Sequence, residues 1–255
     1  MAFDLSSVSK STGIGAPRIL VYGTAGVGKT TFAAQAPNPV FIQTEDGAGT
    51  LEINSFPVVS TYEEFMQCLA ALYNEHKYDS VVVDSLDHLE PLIWKRVCAD
   101  NSVENIEKLG YGKGYVMALD YWREAMAALN GLRDQKSMAI ILIAHHQIRK
   151  HSDPELEQID RYEIKLHQKA SGLVQESVDA VLFAKHKVST KTEQLGFGNT
   201  RTRGISTGQR VLATIETPAF LAKNRYGMPA EIPLSWADFM QAINPSKEEK
   251  KNGAA

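Results

Sequence analysis

Residues 23–31 read Gly23-Thr24-Ala25-Gly26-Val27-Gly28-Lys29-Thr30-Thr31, and this stretch decides the fold. It satisfies G-x-x-x-x-G-K-[ST] without a gap. An apolar run at 18–22 (RILVY) that reads as a buried strand precedes it, and TTFAAQA, the start of a helix, follows. Strand, loop and helix in that order are the context a phosphate-binding loop needs. Gly23, Gly26 and Gly28 permit backbone conformations closed to other residues, so successive N–H groups can curl around the phosphates of ATP. The helix N-terminus adds partial positive charge. Residues 23–31 are therefore the expected nucleotide contacts, with Lys29 reaching the outer phosphates and the Thr30 hydroxyl ligating Mg2+.

A chain of 255 residues, 44% of them apolar, can bury one good core. The formal charge of -3 names no partner, because a near-neutral total can hide a local basic face. Cys68 and Cys98 are far apart and form no C-x-x-C, so they read as reduced packing residues of an intracellular, cytoplasmic protein. No run approaches a membrane span, and no apolar signal segment opens the chain.

After the loop helix, residues 39–43 (PVFIQ) read as a second strand and 56–59 as a short one. Thr61 with Glu64 makes a capping box, and Phe65, Leu69, Leu72 and Tyr73 then share one helical face. Residues 80–84 (SVVVD), 138–144 (MAIILIA), 180–184 (AVLFA) and 211–215 (VLATI) read as further strands. Between the first two of these, 86–99 and 115–133 read as helices, the second with Tyr115, Leu119, Trp122, Met126 and Leu129 on one stripe. Strands apolar on both faces, alternating with amphipathic helices, imply a mainly parallel central α/β sheet with helices on both faces. From Ala180 the spacing becomes strand-turn-strand, which implies an antiparallel hairpin extension. The expected organisation is a flexible segment at 1–16, one domain at 17–244 ending in a short capped helix at 235–243, and a disordered tail at 245–255.

Ligand-contacting residues gather at the carboxyl ends of the strands of such sheets. Asp84 closes a valine-rich strand and fits the carboxylate that holds Mg2+ with Thr30, although it, Ser85 or Asp87 would also serve as a helix N-cap. Glu45 and Asp46 end the second strand. A carboxylate there would orient and deprotonate the attacking water; Glu45 is read as that catalytic base and Asp46, before Gly47, as a turn former. Gln147, just past MAIILIA, offers an amide that would sense the γ-phosphate. His145 and His146, adjacent on a strand, point to opposite faces, so one should pack and the other face the nucleotide or a DNA loop.

The strings GTAGVGKT, FIQTED, VVVDS and IAHHQIRK, in this order and spacing, resemble the RecA/Rad51 recombinase core. The resemblance implies a RecA-like P-loop NTPase fold and matches Glu45 to the family's water-activating base. It matches Gln147 to the residue that couples nucleotide state to DNA. AKNRYG at 222–227 resembles the segment whose basic residues reach the ATP of a neighbouring subunit, which implies that Lys223 and Arg225 act in trans on self-association. LGYGKGYVMALDYW and ASGLVQESVDAVLFAKH are similar to a compact phage-encoded branch, the Sak-type single-strand annealing ATPases, which would work in the host cytoplasm. The resemblance spans about 17–232. The long amino-terminal polymerisation segment and large carboxyl-terminal domain of RecA have no counterpart, so filament formation by that route is not expected.

For DNA, the polar stretch 148–169 carries five acidic and five basic residues, and a solvated surface loop fits it as well as a DNA-binding one. The resemblance favours single-stranded DNA, with Arg149, Lys150 and Arg161 as contacts. Residues 185–210 are more suggestive: Lys185, Lys187, Lys191, Arg201, Arg203 and Arg210 stand against Glu193 alone, and Phe197 sits among them. Phosphate contacts from Lys187, Arg201 and Arg203 with one stacking ring are what nonspecific single-strand binding uses. The expected activity is therefore Mg2+-dependent, DNA-stimulated ATP hydrolysis driving annealing or strand exchange in recombination, with a single-strand-binding protein as a further partner. A helicase- or packaging-type motor, or a nucleotide-controlled assembly switch without DNA, shares the same loop, Asp84 and Glu45.

Overall fold

The computed structural model describes residues 4, 14–47, 49–75, 77–151, 158–195 and 199–244, the side chains of 189–195 and 199–207 excepted. The expected tail at 245–255 and most of the expected lead-in lie outside these residues.

At the centre of the sheet is β1 (Arg18–Gly23), paired in parallel with β5 (Ala139–His151) on one side and β7 (Ala180–Leu195) on the other. Beyond β5 lie β4 (Ser80–Asp84), β2 (Pro39–Gln43) and the two-residue β3 (Asn54–Ser55), all parallel. On the far side of β7 the sheet turns antiparallel, through β8 (Asn199–Ala213) and then β10 (Glu231–Pro233). This is the expected architecture, an α/β fold with a mainly parallel sheet and an antiparallel extension. The strand that carries Asp84 is not the neighbour of the strand that feeds the phosphate loop; β5 lies between them.

The continuous apolar runs are explained by two cores, one on each face. Because side chains alternate along a strand, Leu20, Tyr22, Ile42, Val81, Val83 and Leu142 fall into one core. Their neighbours Ile19, Val21, Phe41, Val82 and Ile141 fall into the other. The first face is covered by α2 (Tyr62–Asn74), α3 (Leu86–Asp100), α4 (Lys113–Lys136) and α5 (Gln168–Ser177). The second receives α1 (Lys29–Ala34) and α6 (Trp236–Ile243), where Phe32 packs on Trp236 and Phe239 at 5.6 and 6.2 Å between ring centres. Each such fully buried aromatic contributes about 1.5–3 kcal/mol from burial. Local signals agree with these packings: the Thr61–Glu64 capping box is complete, and Ser235 caps α6 by accepting from the Asp238 N–H.

Three elements differ from the reading of the sequence. Residues 56–59 do not form a strand; the edge strand is Asn54–Ser55, and Pro57, which has no N–H to donate, interrupts the ladder. The segment still leans on β2, through Phe56 N–H to Phe41 O and Val59 N–H to Gln43 O. The polar stretch after Ala144 is no simple loop. There β5 continues to His151 and pairs antiparallel with β6 (Ile159–Ile164), and α5 follows, so ladder bonds satisfy a backbone that polarity alone suggested was solvated. The last expected strand ends at Ala213, leaving Ile215 exposed.

The tightest backbone contact in the sheet lies under the phosphate loop. A Cβ at Gly23 would stand 2.1 Å from the Ala184 carbonyl oxygen of β7, an atom that cannot swing aside. Gly23→Ala is expected to cost about 2–3 kcal/mol, read as a lower urea midpoint with an unchanged slope.

Candidate functional site

The registers Gly23↔His145 and Ile143↔Asp84 bring the carboxyl ends of β1, β5 and β4 level, and β2 ends beside them with Gln43↔Asp84. The chain leaving β1 turns through the loop into α1 at Gly28, whose φ of 103° lies in the region that strains any side chain. Lys29 is buried and donates from Nζ to the Gly23 and Thr24 carbonyl oxygens at 3.2 and 3.1 Å. Burial pulls its pKa below the usual lysine range against the opposing pull of Asp84, Asp87 and Glu45.

Thr30 Oγ1 donates to Asp84 Oδ2 at 2.8 Å. Asp84 is buried, and burial raises its pKa, with the Thr30 hydrogen bond lowering it in part. Among the described residues no cation pairs with it directly, since Lys29 is turned to the loop carbonyls. A hydroxyl and a carboxylate, both hard oxygen donors, converging beside a buried lysine at a glycine-rich loop fit a Mg2+ ion accompanying a polyphosphate. The alternative reading of Asp84 as a helix cap is not what is observed: Ser85 holds the cap position of α3.

Ser85 does not use its hydroxyl to cap the helix backbone. It donates to Glu45 Oε1 at 2.9 Å and lies 2.9 Å from His88 Nδ1, which is itself 3.1 Å from Glu45 Oε1. Thr44 braces this corner, donating from Oγ1 to Ser85 O at 2.7 Å and accepting from Ser85 N at 2.9 Å. Glu45 is thereby fixed across the cavity from the loop, a space of about 280 Å3 lined also by Gly26, Lys29, Thr30, Asp84 and His145. Asp46 is exposed and does not line it. His145 is held by Asp87, which accepts from its backbone N–H at 2.9 Å and meets its ring Nδ1 at 3.0 Å. That hydrogen bond, opposed by partial burial, raises the His145 pKa. Burial pushes Asp87 up, yet the bonds from the His145 ring and backbone outweigh it and hold the carboxyl well below the usual range. His146 packs on Tyr162 from the opposite face, 5.3 Å between ring centres.

Several expected residues lie elsewhere. Gln147 does not line the cavity; its amide nitrogen donates to Ile164 O and Leu166 O at 2.7 and 3.2 Å, tying β5 to the end of β6. Lys223 belongs to β9 (Lys223–Asn224), which pairs with the start of β7, at the end of the sheet remote from the loop. Its Nζ is committed to the Gln175, Glu176 and Val178 carbonyls at 2.6, 3.3 and 2.7 Å, closing the carboxyl end of α5. This corrects its assignment as a cation free to serve a neighbour. Arg225 is half-exposed near Asp179, 3.6 Å away.

Arg161, expected to contact DNA, is instead buried and ion-paired with Glu216, because its place on β6 turns it inward. Arg149 donates to Leu166 O at 3.2 Å, Lys150 is exposed on the β5–β6 hairpin, and Lys187 is half-exposed beside Glu231. Phe197 lies outside the described residues, as do the side chains of Arg201 and Arg203, whose backbone belongs to β8. The sequence did not single out His88 or the Ser85 contact to Glu45, and it read Arg210 only as one of the basic residues of 185–210, whereas its guanidinium donates to Val27 O of the loop at 3.4 Å. The only signal for His88 was its place one helical turn after Ser85.

The AAA domain family matches residues 16–226. No curated protein matches the chain. Among solved structures it is similar to a KaiC-like protein from the hyperthermophilic archaeon Pyrococcus horikoshii OT3, with 14% identity over 79% of this chain and 87% of that one and a TM-score of 0.37. It is also similar to the RadB recombinase, 16% identical over 89% and 91%, TM-score 0.44. The flagellar accessory protein FlaH from Methanocaldococcus jannaschii is 11% identical over 80% and 88%, TM-score 0.39. Among the described residues no helix is long and apolar enough to cross a membrane.

The Asp87–His145 pair makes stability depend on pH in a defined direction. His145 has a raised folded pKa, so its contribution is complete below the ordinary histidine value of about 6.5 and is lost as pH rises through the raised value. Between about pH 6.5 and 8 the urea midpoint of the wild-type chain should therefore fall more than that of Asp87→Asn, which lacks the carboxylate that favours the imidazolium.

Proposed function

The chain belongs to the AAA domain family, and from that premise we propose that it is a Mg2+-dependent ATP hydrolase that binds single-stranded DNA and promotes annealing or strand exchange. The observation that carries the hydrolase is the Thr30–Asp84 hydrogen bond of 2.8 Å beside Lys29, with Glu45 braced on the opposite wall of the same cavity. Backbone N–H groups of residues 23–31 and the Lys29 ammonium, once it leaves its two carbonyls, bind the phosphates. Thr30 and Asp84 would hold Mg2+, whose charge would offset that developing on the transferred phosphoryl group. Ser85 and His88 occupy one oxygen of the Glu45 carboxylate and leave the other to accept the proton of the attacking water.

The DNA reading rests on where the hairpins go. Past its partner for Gly23, β5 runs on from His145 to His151, and β7 runs on from Ala184 to Leu195. At the rise of an extended strand these arms project roughly 20 and 35 Å from the carboxyl end of the sheet, the end that holds the phosphate loop. The β7–β8 arm is the basic one in sequence, with Lys187, Lys191, Arg201 and Arg203 against Glu193. Arg210, at its base and touching Val27, gives the arm a mechanical contact with the loop. With the resemblance to the RecA/Rad51 core and its phage-encoded Sak-type branch, these arms support a recombination role in a phage. Arg225 lies at the far end of β7 from its own loop, which favours contact with a neighbouring subunit's nucleotide over contact with its own.

Hydrolysis measured with and without single-stranded DNA, at two salt concentrations, tests the whole reading: stimulation supports it, while hydrolysis indifferent to DNA would leave an assembly switch. Glu45→Gln should bind ATP normally and hydrolyse it about 10^2–10^4-fold more slowly; normal turnover would remove Glu45 from the chemistry. Replacing Lys187, Arg201 and Arg203 together with Ala should flatten the log-log salt dependence of single-strand binding by about 2, at roughly 0.7 per lost phosphate contact. An unchanged slope would make the arm an idle hairpin.

A further inference from the structure

Beside Glu45 and His145, which line the cavity, stands His88, giving two imidazoles where the proposed hydrolysis needs none as a ligand. Glu45, His88 and His145 each offer one donor atom, and these atoms all lie within 4.8 Å of one another. Two of them, Glu45 Oε1 and His88 Nδ1, are 3.1 Å apart, close to the ~3.3 Å that separates two ligands bound at about 2.0–2.1 Å around a tetrahedral ion. We propose that these three side chains form a transition-metal site for an ion of the Zn2+ type, and that its occupancy, by drawing electron density from the Glu45 carboxylate, makes it too weak a base for the attacking water and stops hydrolysis. The stop rests on the reading of Glu45 as the base; the metal site does not.

The chemistry separates this site from the one at Thr30 and Asp84. Mg2+ takes oxygen ligands and keeps much of its water, so a hydroxyl and a carboxylate suit it. Two imidazoles and one carboxylate suit Zn2+, which accepts three protein ligands and leaves a fourth position open. Around the three ligands stand groups that orient them. The Asp87 side chain, only 1% exposed, holds the His145 ring at 3.0 Å, the carboxylate support that metal-bound imidazoles commonly have. Ser85 Oγ donates to Glu45 Oε1 at 2.9 Å and keeps that bond when the His88 Nδ1 lone pair, now 2.9 Å from Ser85 Oγ, turns to the ion. Three elements meet here, since Glu45 follows β2, His88 is in the first turn of α3 and His145 is on β5. The site therefore belongs to the folded chain and to no short peptide.

The test uses Co2+ as a spectroscopic stand-in, titrated into the nucleotide-free full chain in excess Mg2+. Visible bands of a four-coordinate nitrogen and oxygen site should appear, without thiolate charge transfer, and Zn2+ should bleach them. His88→Ala, at a side chain 40% exposed and so tolerable to the fold, should weaken Co2+ binding by at least about tenfold. In the hydrolysis assay Zn2+ should inhibit at fixed excess Mg2+, and His88→Ala should raise the half-inhibiting concentration by a similar factor. Absence of the bands, or bands of undiminished affinity in His88→Ala and His145→Ala, overturns the site; bands without inhibition overturn the stop. Bands that depend on His88 in a chain without hydrolase activity uphold the site and count against Glu45 as a base. Hydrolysis with no such bands does the reverse.

Discussion

One hydrogen bond closes the cavity, from Thr30 at the start of α1 to Asp84 at the end of β4, 2.8 Å long. It joins β4 to the helix fed by β1, and those two strands do not pair, because β5 runs between them. The bond therefore depends on two registers at once. A slip of one residue in either would send alternate side chains to the wrong face of the sheet and move Asp84 away from the loop. What prevents the slip is the filling of both faces: the valines of β4 and the isoleucines and leucine of β5 are divided between two cores, and neither core accepts the other's set. Packing on two faces thus sets the geometry of a polar site at the sheet's end.

That site gathers charge where water is scarce, and the cost is visible in the titration of its members. Lys29 is depressed and Asp84 raised, both mainly by burial. Each is in the state expected of a group waiting for a charged partner: a polyphosphate for the lysine, a cation for the carboxylate. Asp87 differs. Its side chain is only 1% exposed, yet it stays ionised through the bonds from His145. The fold spends that buried carboxylate on orienting an imidazole at the cavity wall, which is hard to explain by helix capping alone.

A second buried carboxylate shows the same economy of position. Glu90, one turn beyond Asp87, accepts the His167 N–H with both oxygens at 3.0 Å, and burial, offset in part by that bond, raises its pKa to about 7. It ties α3 to the entry of α5, just as Lys223 ties β9 to the exit of the same helix. Helix α5 is thus clasped at both ends by charged side chains from distant parts of the chain. The β5–β6 hairpin, which leads directly into it, inherits that anchorage through Gln147 and Arg149, both bonded to Leu166 O. Motion of the hairpin would reach the cavity along β5 itself, which carries His145 two residues before Gln147.

The sequence by itself determined the loop, the strands around it and the class of sheet, because those depend on local patterns: glycine spacing, runs of β-branched residues and helical periodicity. It placed Thr30, Asp84 and Glu45 at strand or helix ends, where ligands gather, and it identified the Thr61–Glu64 and Ser235 caps from neighbours within one turn. Tertiary structure alone decided the rest. The stretch after Ala144 looked solvated because its polarity is high, and it became a hairpin because ladder bonds between 146–151 and 159–164 satisfied its backbone. Arg161 and Lys223 looked like free cations, and their partners, Glu216 and the carbonyls ending α5, are 55 and 45–48 residues away in sequence. His88 meets Glu45 and His145 only in the folded chain, since Glu45 follows β2 and His145 lies on β5. A side chain's type is written in the sequence, but what it is spent on depends on partners that only the folded chain brings within hydrogen-bonding distance.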